Sequence, residues 1–315
     1  MDFGKVDDDE LKTIDFSLPE DGQQTLRTLS GKKSGKAPEF YVGCAKWGRK
    51  EWVNMIYPPK TKEANFLDEY VKHFNAIELN AVFYSLPKAE QIRKWKEKAA
   101  GNASNGFVFC PKFSQTITHI KRLKGAEEAT EIFLSGISEF GAYLGPCFLQ
   151  MGDNFGPKNK EVLEAYLEYL PSDLSVFVEL RNTEWFTVPS NRKALFEMLA
   201  RLNKGAVITD ASGRRDVIHM ELTIPEVFIR FVGNGAAFKA SDEARIEEWV
   251  KRIKIWLDQG LEKVYFFLHQ HDEKDTPILA NYTIKAFNKY LGSQLPEINF
   301  LGDQNGEITK DPQLF

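Results

Sequence analysis

The sequence predicts a (β/α)8 TIM barrel, in which eight parallel strands close into a cylinder and helices cover its outside. Eight short apolar runs of strand type recur along the 315-residue chain, and segments with helical periodicity separate them. The runs are too continuously apolar to leave one face in water, which is typical of parallel strands covered by helices. About eight such units within roughly 275 residues match this fold.

The alternative for such a pattern is a doubly wound open sheet. After the first run, Gly43 to Gly48 reads Gly-Cys-Ala-Lys-Trp-Gly, which does not match the G-x-G-x-x-G fingerprint of dinucleotide-binding sheets. A closed barrel is therefore the preferred interpretation.

The predicted elements alternate regularly from Phe40 onward. The strands cover residues 40–44, 76–80, 106–111, 147–151, 175–180, 206–210, 228–232 and 264–269. Apolar residues at three- and four-residue steps predict helices over 64–75, 158–170 and 241–259. Ser241 is placed to cap the third of these helices, Gly260 to end it, and Thr276-Pro277 to begin the last helix.

Residues 1–38 differ in composition from the rest of the chain. They contain an acidic cluster from Asp7 to Glu10 and a polar stretch from Ser30 to Pro38. Ser34-Gly-Lys in that stretch does not complete a phosphate-binding P-loop, which also needs a preceding strand. We expect a flexible or surface-draped extension over 1–38, one barrel domain over 39–300 and a C-terminal tail over 301–315.

Composition limits the classes of partner. The chain has 41 basic and 45 acidic residues, a net charge of −4, which argues against nucleic acid and anionic membranes. No apolar run approaches the roughly 18 residues that a membrane span needs. Cys44, Cys110 and Cys147 lie in apolar runs without metal-type spacing, which predicts reduced core thiols and a cytoplasmic location.

Polar residues interrupt the apolar runs at their carboxyl ends, and this is the strongest functional signal. Glu179 and Arg181 are two residues apart, so they share one face of a strand. Charged side chains at the end of a buried strand lower the stability of the fold unless they form ion pairs, so unpaired ones indicate a function such as ligand binding. Because barrel sites collect at this end of the strands, the pattern predicts a lined pocket. The residues concerned are Lys46, Trp47, Glu78, Asn80, Tyr84, Lys112, His119, Gln150, Glu179, Arg181, Trp185, Asp210, Arg230, His269 and His271.

The chemistry of these side chains suggests their roles. Carboxylates in unlike environments and a histidine can transfer protons, so the expected catalytic groups are Glu78, His119, Glu179 and Asp210. Lysine and arginine hold anionic groups, which is the role expected of Lys112, Arg181 and Arg230. Further contacts to a ligand are expected from Lys46, Trp47, Asn80, Tyr84, Gln150, Trp185, His269 and His271.

Four alternatives stay open for these residues, and the first is that His119 caps the helix that follows it. The glutamates and the cations would also suit a purely structural ion network. Aromatic side chains at a barrel rim are often packing for loops. Glu78, Glu179, Asp210 and a histidine of strand 8 offer ligands for a divalent metal, although the arginines nearby would compete for the carboxylates. The interpretation with proton-transferring carboxylates and anion-holding cations includes no metal and no cofactor.

Several motifs resemble the YecE-like family, also called domain of unknown function 72. They include Tyr57-Pro58, the E-x-N-x-x-F-Y pattern from Glu78 to Tyr84, Thr118-His119, and the E-x-R-x-x-x-W pattern from Glu179 to Trp185. The resemblance implies a TIM barrel but no particular reaction. The chain departs from the family where strand 8 ends in His269-Gln270-His271 in place of an asparagine pair, which implies a different ligand preference.

The functional hypothesis is an enzyme that applies acid/base chemistry to a small polar, anionic ligand such as a sugar phosphate or a nucleotide. One alternative is a divalent-metal-dependent sugar isomerase or phosphodiester hydrolase. Another is a non-catalytic protein that binds a metabolite or a nucleic acid. The sequence makes no prediction of oligomeric state.

Overall fold

The computed structural model describes residues 4–30, 35–103, 106–302 and 312. Eight strands follow one another along this part of the chain, and the predicted (β/α)8 barrel is confirmed. The strands are β1 (Glu39–Cys44), β2 (Ala76–Leu79), β3 (Val108–Pro111), β4 (Cys147–Gln150), β5 (Val176–Glu179), β6 (Gly205–Asp210), β7 (Glu226–Gly233) and β8 (Lys263–Gln270).

The strands pair in parallel, in the order β3-β2-β1-β8-β7-β6-β5-β4. Backbone hydrogen bonds join the two ends of this sheet. Phe113 N donates to Phe148 O at 3.0 Å, and Gly145 N donates to Phe109 O at 2.8 Å. The carboxyl ends of the eight strands therefore surround one opening, where sites of this fold lie.

Helices connect most of the strands and cover the outside of the barrel. The described α-helices are α1 (Asp8–Leu11), α2 (Gln23–Thr28), α3 (Phe66–Tyr70), α4 (Ala81–Tyr84), α5 (Ala89–Asn102), α6 (Glu127–Ser138), α7 (Lys160–Tyr169), α8 (Glu184–Thr187), α9 (Pro189–Arg201), α10 (Lys239–Gln259) and α11 (Thr276–Leu291).

Helix boundaries differ from the predicted ones most clearly in two places. The helix predicted over 64–75 is reduced to α3, because a 3-10 turn precedes it and tight turns follow it. Ser241 lies inside α10 and does not cap it, since that helix begins at Lys239. Gly260 ends α10 as predicted: its φ of 116° is a left-handed conformation that glycine adopts without a steric penalty. Pro277 lies in the first turn of α11, also as predicted.

The interior of the barrel has an apolar level and, above it, a polar level. The apolar level consists of Ala76, Cys110, Phe148, Phe177, Val207, Phe228, Tyr265 and Phe267. Two residues further along each strand the side chain points to the same face, closer to the opening. Those positions hold Glu78, Lys112, Gln150, Glu179, Thr209, Arg230 and His269, and all seven are buried. The fold thus gathers seven polar side chains from seven strands at one end of the barrel.

The N-terminal segment packs against the connection between β6 and β7. This connection, residues 211–225, is described throughout and contains a 3-10 helix (Ser212–Val217) but no α-helix. Thr25 of α2 is fully buried against it. The Thr25 hydroxyl donates to Met220 O at 2.6 Å and accepts from Leu222 N at 2.7 Å. Residues 4–30 thereby cover a part of the barrel wall that has no helix of its own.

Several expectations concern the ends and the surface of the chain. Residues 1–3 and 31–34 of the predicted extension, and residues 303–311 and 313–315 of the predicted tail, lie outside the described residues. No helix among the described residues is long and apolar enough to cross a membrane. Cys44, Cys110 and Cys147 are buried free thiols.

Candidate functional site

A cleft of about 470 Å³ opens at the carboxyl ends of β1, β2, β3 and β8. Its volume is in the range that holds a small metabolite. It is lined by seven residues that the sequence predicted, Lys46, Trp47, Glu78, Asn80, Tyr84, Lys112 and His269, and by Ala45, Gly48, Leu79, Ala81 and Glu273. The strand-end pattern therefore identified residues from four strands that meet at one cleft.

Glu78 forms the base of this cleft and is fully buried. Arg230 donates two hydrogen bonds to its carboxylate, from Nε to Oε2 and from Nη2 to Oε1, both at 2.8 Å. Asn80 Nδ2 donates to Oε1 at 2.9 Å, and His269 Nε2 lies 2.8 Å from Oε2. The two oxygens thus face four nitrogen groups, which satisfy the four acceptor positions of a carboxylate.

Glu179 lies on the other side of Arg230 and completes an ion network. Arg230 Nη1 donates to its Oε2 at 2.6 Å, and Arg181 Nε donates to its Oε1 at 2.9 Å. We call Glu78, Glu179, Arg181 and Arg230 the ion network. Its two carboxylates balance its two guanidiniums, so the network as a whole is neutral.

The electrostatics of the network keep both glutamates ionised. Burial acts to raise the pKa of Glu78, but Arg230 and His269 outweigh it, and this pKa lies well below its usual range. Burial likewise opposes Arg230 and Arg181 at Glu179, and the pKa of Glu179 is lowered. Carboxylates whose pKa values are lowered in this way are poor proton donors near pH 7, and Glu78 in addition has all its acceptor positions used. This arrangement favours the structural alternative for Glu78 and Glu179, in which the two carboxylates hold Arg230 in place, over the predicted role in proton transfer.

Arg230 itself is not available to a ligand. Its guanidinium is fully buried and bonded to both glutamates. Burial lowers the pKa of Arg230, but Glu179 and Glu78 outweigh this effect and raise it above the ordinary value. Arg181 donates to Glu179 and does not line the cleft. Of the three cations predicted to bind an anionic group, Lys112, Arg181 and Arg230, only Lys112 lines the cleft.

Lys112 has the most unusual environment of the cleft-lining residues. Its side chain is buried, and its Nζ lies 4.0 Å from the centre of the Phe83 ring. Within the described part of the chain it forms no ion pair, although Glu78 and Glu179 are close enough to influence its charge. Burial and the Arg230 charge lower the pKa of Lys112 to about 8, and the two glutamates only partly oppose this. Its ammonium is a positive charge beyond the neutral ion network.

His119 lies on a short π-helical segment, Thr116–Ile120, and its ring contacts Phe83 with centroids 5.2 Å apart. The Thr118 hydroxyl donates to Ser114 O at 3.0 Å, so its single proton is already used. His119 Nδ1 lies 2.8 Å from the same hydroxyl oxygen and must then be the donor. This assignment leaves Nε2 as the unprotonated nitrogen. Partial burial and the Lys112 charge lower the pKa of His119, so its ring is neutral near pH 7.

Aromatic residues divide between the cleft and the packing of loops. Tyr84 stands at the rim with 72% of its surface exposed, and Trp47, which also lines the cleft, is half-buried. Trp185 is fully buried and donates from Nε1 to Phe155 O at 2.7 Å. Trp185 is not among the residues that line the cleft, and this geometry favours the alternative in which its side chain packs a loop.

Asp210 faces away from the barrel interior, so its assignment to the site is also corrected. Its carboxylate accepts from Arg245 at 2.9 Å and from Trp249 Nε1 at 2.8 Å, both on α10, and also contacts Arg215. Burial raises the pKa of Asp210, but Arg245 and Arg215 outweigh it, and the net shift is downward. The neighbouring residue Thr209 is the one that points into the barrel. Because the β6 run is apolar on both faces, its sequence gave no sign of this alternation.

Three further polar residues each lie in a different place: Gln150, Thr209 and His271. Gln150 lies beside Glu179 in the barrel interior, and its Oε1 has no hydrogen-bond partner among the described residues. The same holds for the Thr209 hydroxyl, which the sequence analysis missed. His271 follows β8, is half-buried and does not line the cleft. No group of three or more His, Cys, Asp and Glu side chains in the described ranges is arranged to hold a metal ion.

The architecture and the cleft define a TIM-barrel protein with a polar site at the carboxyl ends of its strands. Residues 41–299 match the model of a family described as protein of unknown function DUF72, and the chain belongs to this family. The resemblance inferred from the motifs is thereby confirmed.

Two curated proteins show the relationship in sequence. The chain is 27% identical over 277 residues to the UPF0759 protein YecE of Escherichia coli strain K12, a match that covers 82% of this chain and 95% of that protein. It is 29% identical over 170 residues to the UPF0759 protein YunF of Bacillus subtilis strain 168, which covers 51% of this chain and 57% of YunF.

Crystal structures of two DUF72 family proteins share the fold. The protein from Enterococcus faecalis V583 has a TM-score of 0.62 at 20% identity, covering 82% of this chain and 99% of that one. The protein from Thermotoga maritima MSB8 has a TM-score of 0.59 at 22% identity, covering 81% and 100%. At these identities the likeness supports the (β/α)8 architecture.

Proposed function

We propose that this protein is an enzyme that applies acid/base chemistry to a small anionic ligand, of the size of a sugar phosphate, bound in the cleft. Lys112 attracts the anionic group, with the exposed Lys46 at the rim as a second cation. His119 transfers protons through Nε2. The ion network forms a rigid base for the cleft, and Trp47 and Tyr84 offer surfaces for stacking.

The single observation that carries this proposal is the charge of Lys112. The two glutamates and two arginines of the ion network cancel, so the buried ammonium lacks a compensating carboxylate of its own. A buried charge without a partner is unfavourable, and an anionic ligand would supply that partner. His119 supports the catalytic part, since a neutral imidazole with an open nitrogen is suited to accept a proton. The three buried free thiols support a cytoplasmic location for this activity.

Binding is tested by thermal unfolding with three probes: dihydroxyacetone phosphate, glycerol 3-phosphate and uncharged glycerol. We expect both phosphates to raise the Tm of the wild-type chain and of Lys112→Arg, which keeps the charge. We expect no shift from glycerol and none from either phosphate in Lys112→Met. Lys204→Met is the matched control, because Lys204 is also a buried lysine but donates to Leu174 O at 2.9 Å before β6, at the opposite end of the barrel.

Catalysis is tested by incubating the protein with dihydroxyacetone phosphate in deuterium oxide and following deuterium incorporation by NMR. His119→Asn should bind the phosphate as before and lose exchange by about 10²–10⁴-fold, the usual range for a lost acid/base group. Binding without any exchange in the wild-type chain would favour the non-catalytic binding protein. Equal Tm shifts in Lys112→Met and wild type would refute the proposed site.

A further inference from the structure

We propose that the amine of Lys112 forms an imine with a carbonyl carbon of the ligand, so that the cleft takes small anionic aldehydes and ketones. This inference rests on the proposed function and names the substrate class of the same cleft. It assigns Lys112 a covalent role in addition to its charge.

The position of Lys112 suits a nucleophile. It follows β3 directly, its side chain lines the cleft, and its Nζ lies 4.0 Å from the centre of the Phe83 ring. It forms neither a hydrogen bond nor an ion pair within the described residues, so neither kind of bond has to break before the nitrogen attacks. Burial and a neighbouring cation are the two surroundings that favour the uncharged, nucleophilic form of lysine, and Lys112 has both.

The population of uncharged amine follows from the lowered pKa. With a pKa of about 8, about one Lys112 amine in ten is uncharged at pH 7. An ordinary lysine has fewer than about one in a thousand. Lys204 shows that burial alone does not give this arrangement, since its Nζ is bound to a carbonyl oxygen and lies at the far end of the barrel.

The atoms and protons of the step balance without an oxidant, a reductant or a metal. The nitrogen lone pair forms the C–N bond, and the carbonyl π electrons move to oxygen. His119 Nε2 accepts a proton from the nitrogen and returns it to the oxygen, which leaves as water with one further proton from the nitrogen. The neutral imine and one water are the products, and protonation by solvent gives the iminium. His119 is not one of the cleft-lining residues, but it contacts the same Phe83 ring as Lys112, and the Lys112 charge lowers the pKa of His119, so the two groups lie near each other.

The experiment is reductive trapping of the full-length protein with sodium cyanoborohydride and dihydroxyacetone phosphate, or pyruvate as a second carbonyl probe. Intact mass measures the adducts and peptide mapping locates them. We expect one adduct on Lys112 in the wild-type chain and in Lys204→Met, at least about tenfold above any surface lysine, as the larger uncharged fraction implies. We expect none in Lys112→Met or Lys112→Arg. Glycerol 3-phosphate, which has a hydroxyl where dihydroxyacetone phosphate has the carbonyl, should give no adduct and should protect Lys112 from the trap.

The possible results distinguish a failure of the imine proposal from a failure of the proposed function. If phosphates bind to wild type and Lys112→Arg but neither carbonyl probe is trapped on Lys112, the imine is refuted and the anion site stands. Labelling spread evenly over surface lysines also refutes it. If no phosphate binds, the proposed function fails. Should Lys112→Met fail to fold, Lys112→Arg decides the outcome, because arginine keeps the charge and forms no such imine.

Discussion

Arg230 holds Glu78 by two hydrogen bonds of 2.8 Å at a point where neither side chain has any exposed surface. The same guanidinium bonds Glu179 at 2.6 Å, so one side chain of β7 ties together β2 and β5 across the barrel. Arg230→Met would remove from two buried carboxylates the guanidinium that they share. We expect it to lower the free energy of unfolding by about 3–5 kcal/mol, measured by urea denaturation.

The matched control for this change is Arg27→Met. Arg27 also pairs with a glutamate, Glu197 at 3.0 Å, but on the exposed surface. Exposed pairs contribute little, so its denaturation curve should stay close to that of the wild type. If Arg230→Met were as mild as Arg27→Met, the ion network would not be the structural base of the cleft.

Lys112→Met should stabilise the protein at neutral pH. The folded-state pKa of Lys112, about 8, lies below the unfolded value of about 10.4, so the unfolded chain binds more protons between these values. Stability therefore rises with pH from about 8 to 10 in the wild type. At pH 7 the free-energy cost of burying the charged Lys112 is fully present. Removing this charge should raise the free energy of unfolding by at most about 3 kcal/mol.

The measurement is the difference between the denaturation free energies of wild type and Lys112→Met at several pH values. Other lysines and tyrosines cancel in this difference. The three groups that act most strongly on the charge of Lys112, namely Arg230, Glu179 and Glu78, keep their charge from pH 7 to 10. The expected difference shrinks as the pH rises from 8 to 10. A difference that stays constant would mean that the pKa of Lys112 is not lowered.

His119 should be a neutral imidazole with its proton on Nδ1 at pH 7. The reason is that Thr118 accepts from Nδ1 while donating to Ser114 O. Nitrogen NMR of the wild-type histidines reports the tautomer and the pKa of His119, which we expect below its ordinary value. Thr118→Val removes the acceptor and should reduce the preference for Nδ1. A ring protonated on Nε2 in the wild type would contradict the role of Nε2 as the base.

Asp210→Asn should change stability and leave the cleft intact. The substitution weakens the bonds to Arg245 and Trp249 behind the barrel wall and leaves a buried arginine less well paired. A loss of about 2–4 kcal/mol in the free energy of unfolding is expected. The Tm shift given by glycerol 3-phosphate should equal that of the wild type. A lost Tm shift in a folded variant would return Asp210 to the site.

Thr25→Val tests the contact of the N-terminal segment with the barrel. Valine keeps the shape of threonine but leaves Met220 O and Leu222 N without their partner in a buried place. We expect a loss of about 1–3 kcal/mol in thermal or urea unfolding. Thr187→Val, at an exposed hydroxyl that bonds within its own helix, serves as the control. Equal effects of the two changes would show that residues 4–30 contribute no stability through this contact.

The sequence by itself determined the fold and the end of the barrel that holds the site. Eight apolar runs separated by helical periodicity predict a covered parallel sheet, because only buried strands are apolar on both faces. Polar residues two positions beyond an interior apolar residue, as in Ala76 and Glu78 or Phe228 and Arg230, mark the opening. These signals are local, within a few residues of each other along the chain.

Only the tertiary structure decided which charged side chains form ion pairs with each other. Arg230 reaches Glu78 across 152 residues of sequence and Glu179 across 51, and no local pattern specifies which of several cations pairs with which acid. The tertiary structure also decided which side chains of β6 face the barrel interior. Because the β6 run is apolar throughout, its sequence does not indicate that Thr209 faces inward and Asp210 does not. Charge pairing depends on distance in space, which only the closed barrel sets. That closure neutralises four charged groups and leaves Lys112 beside the cleft.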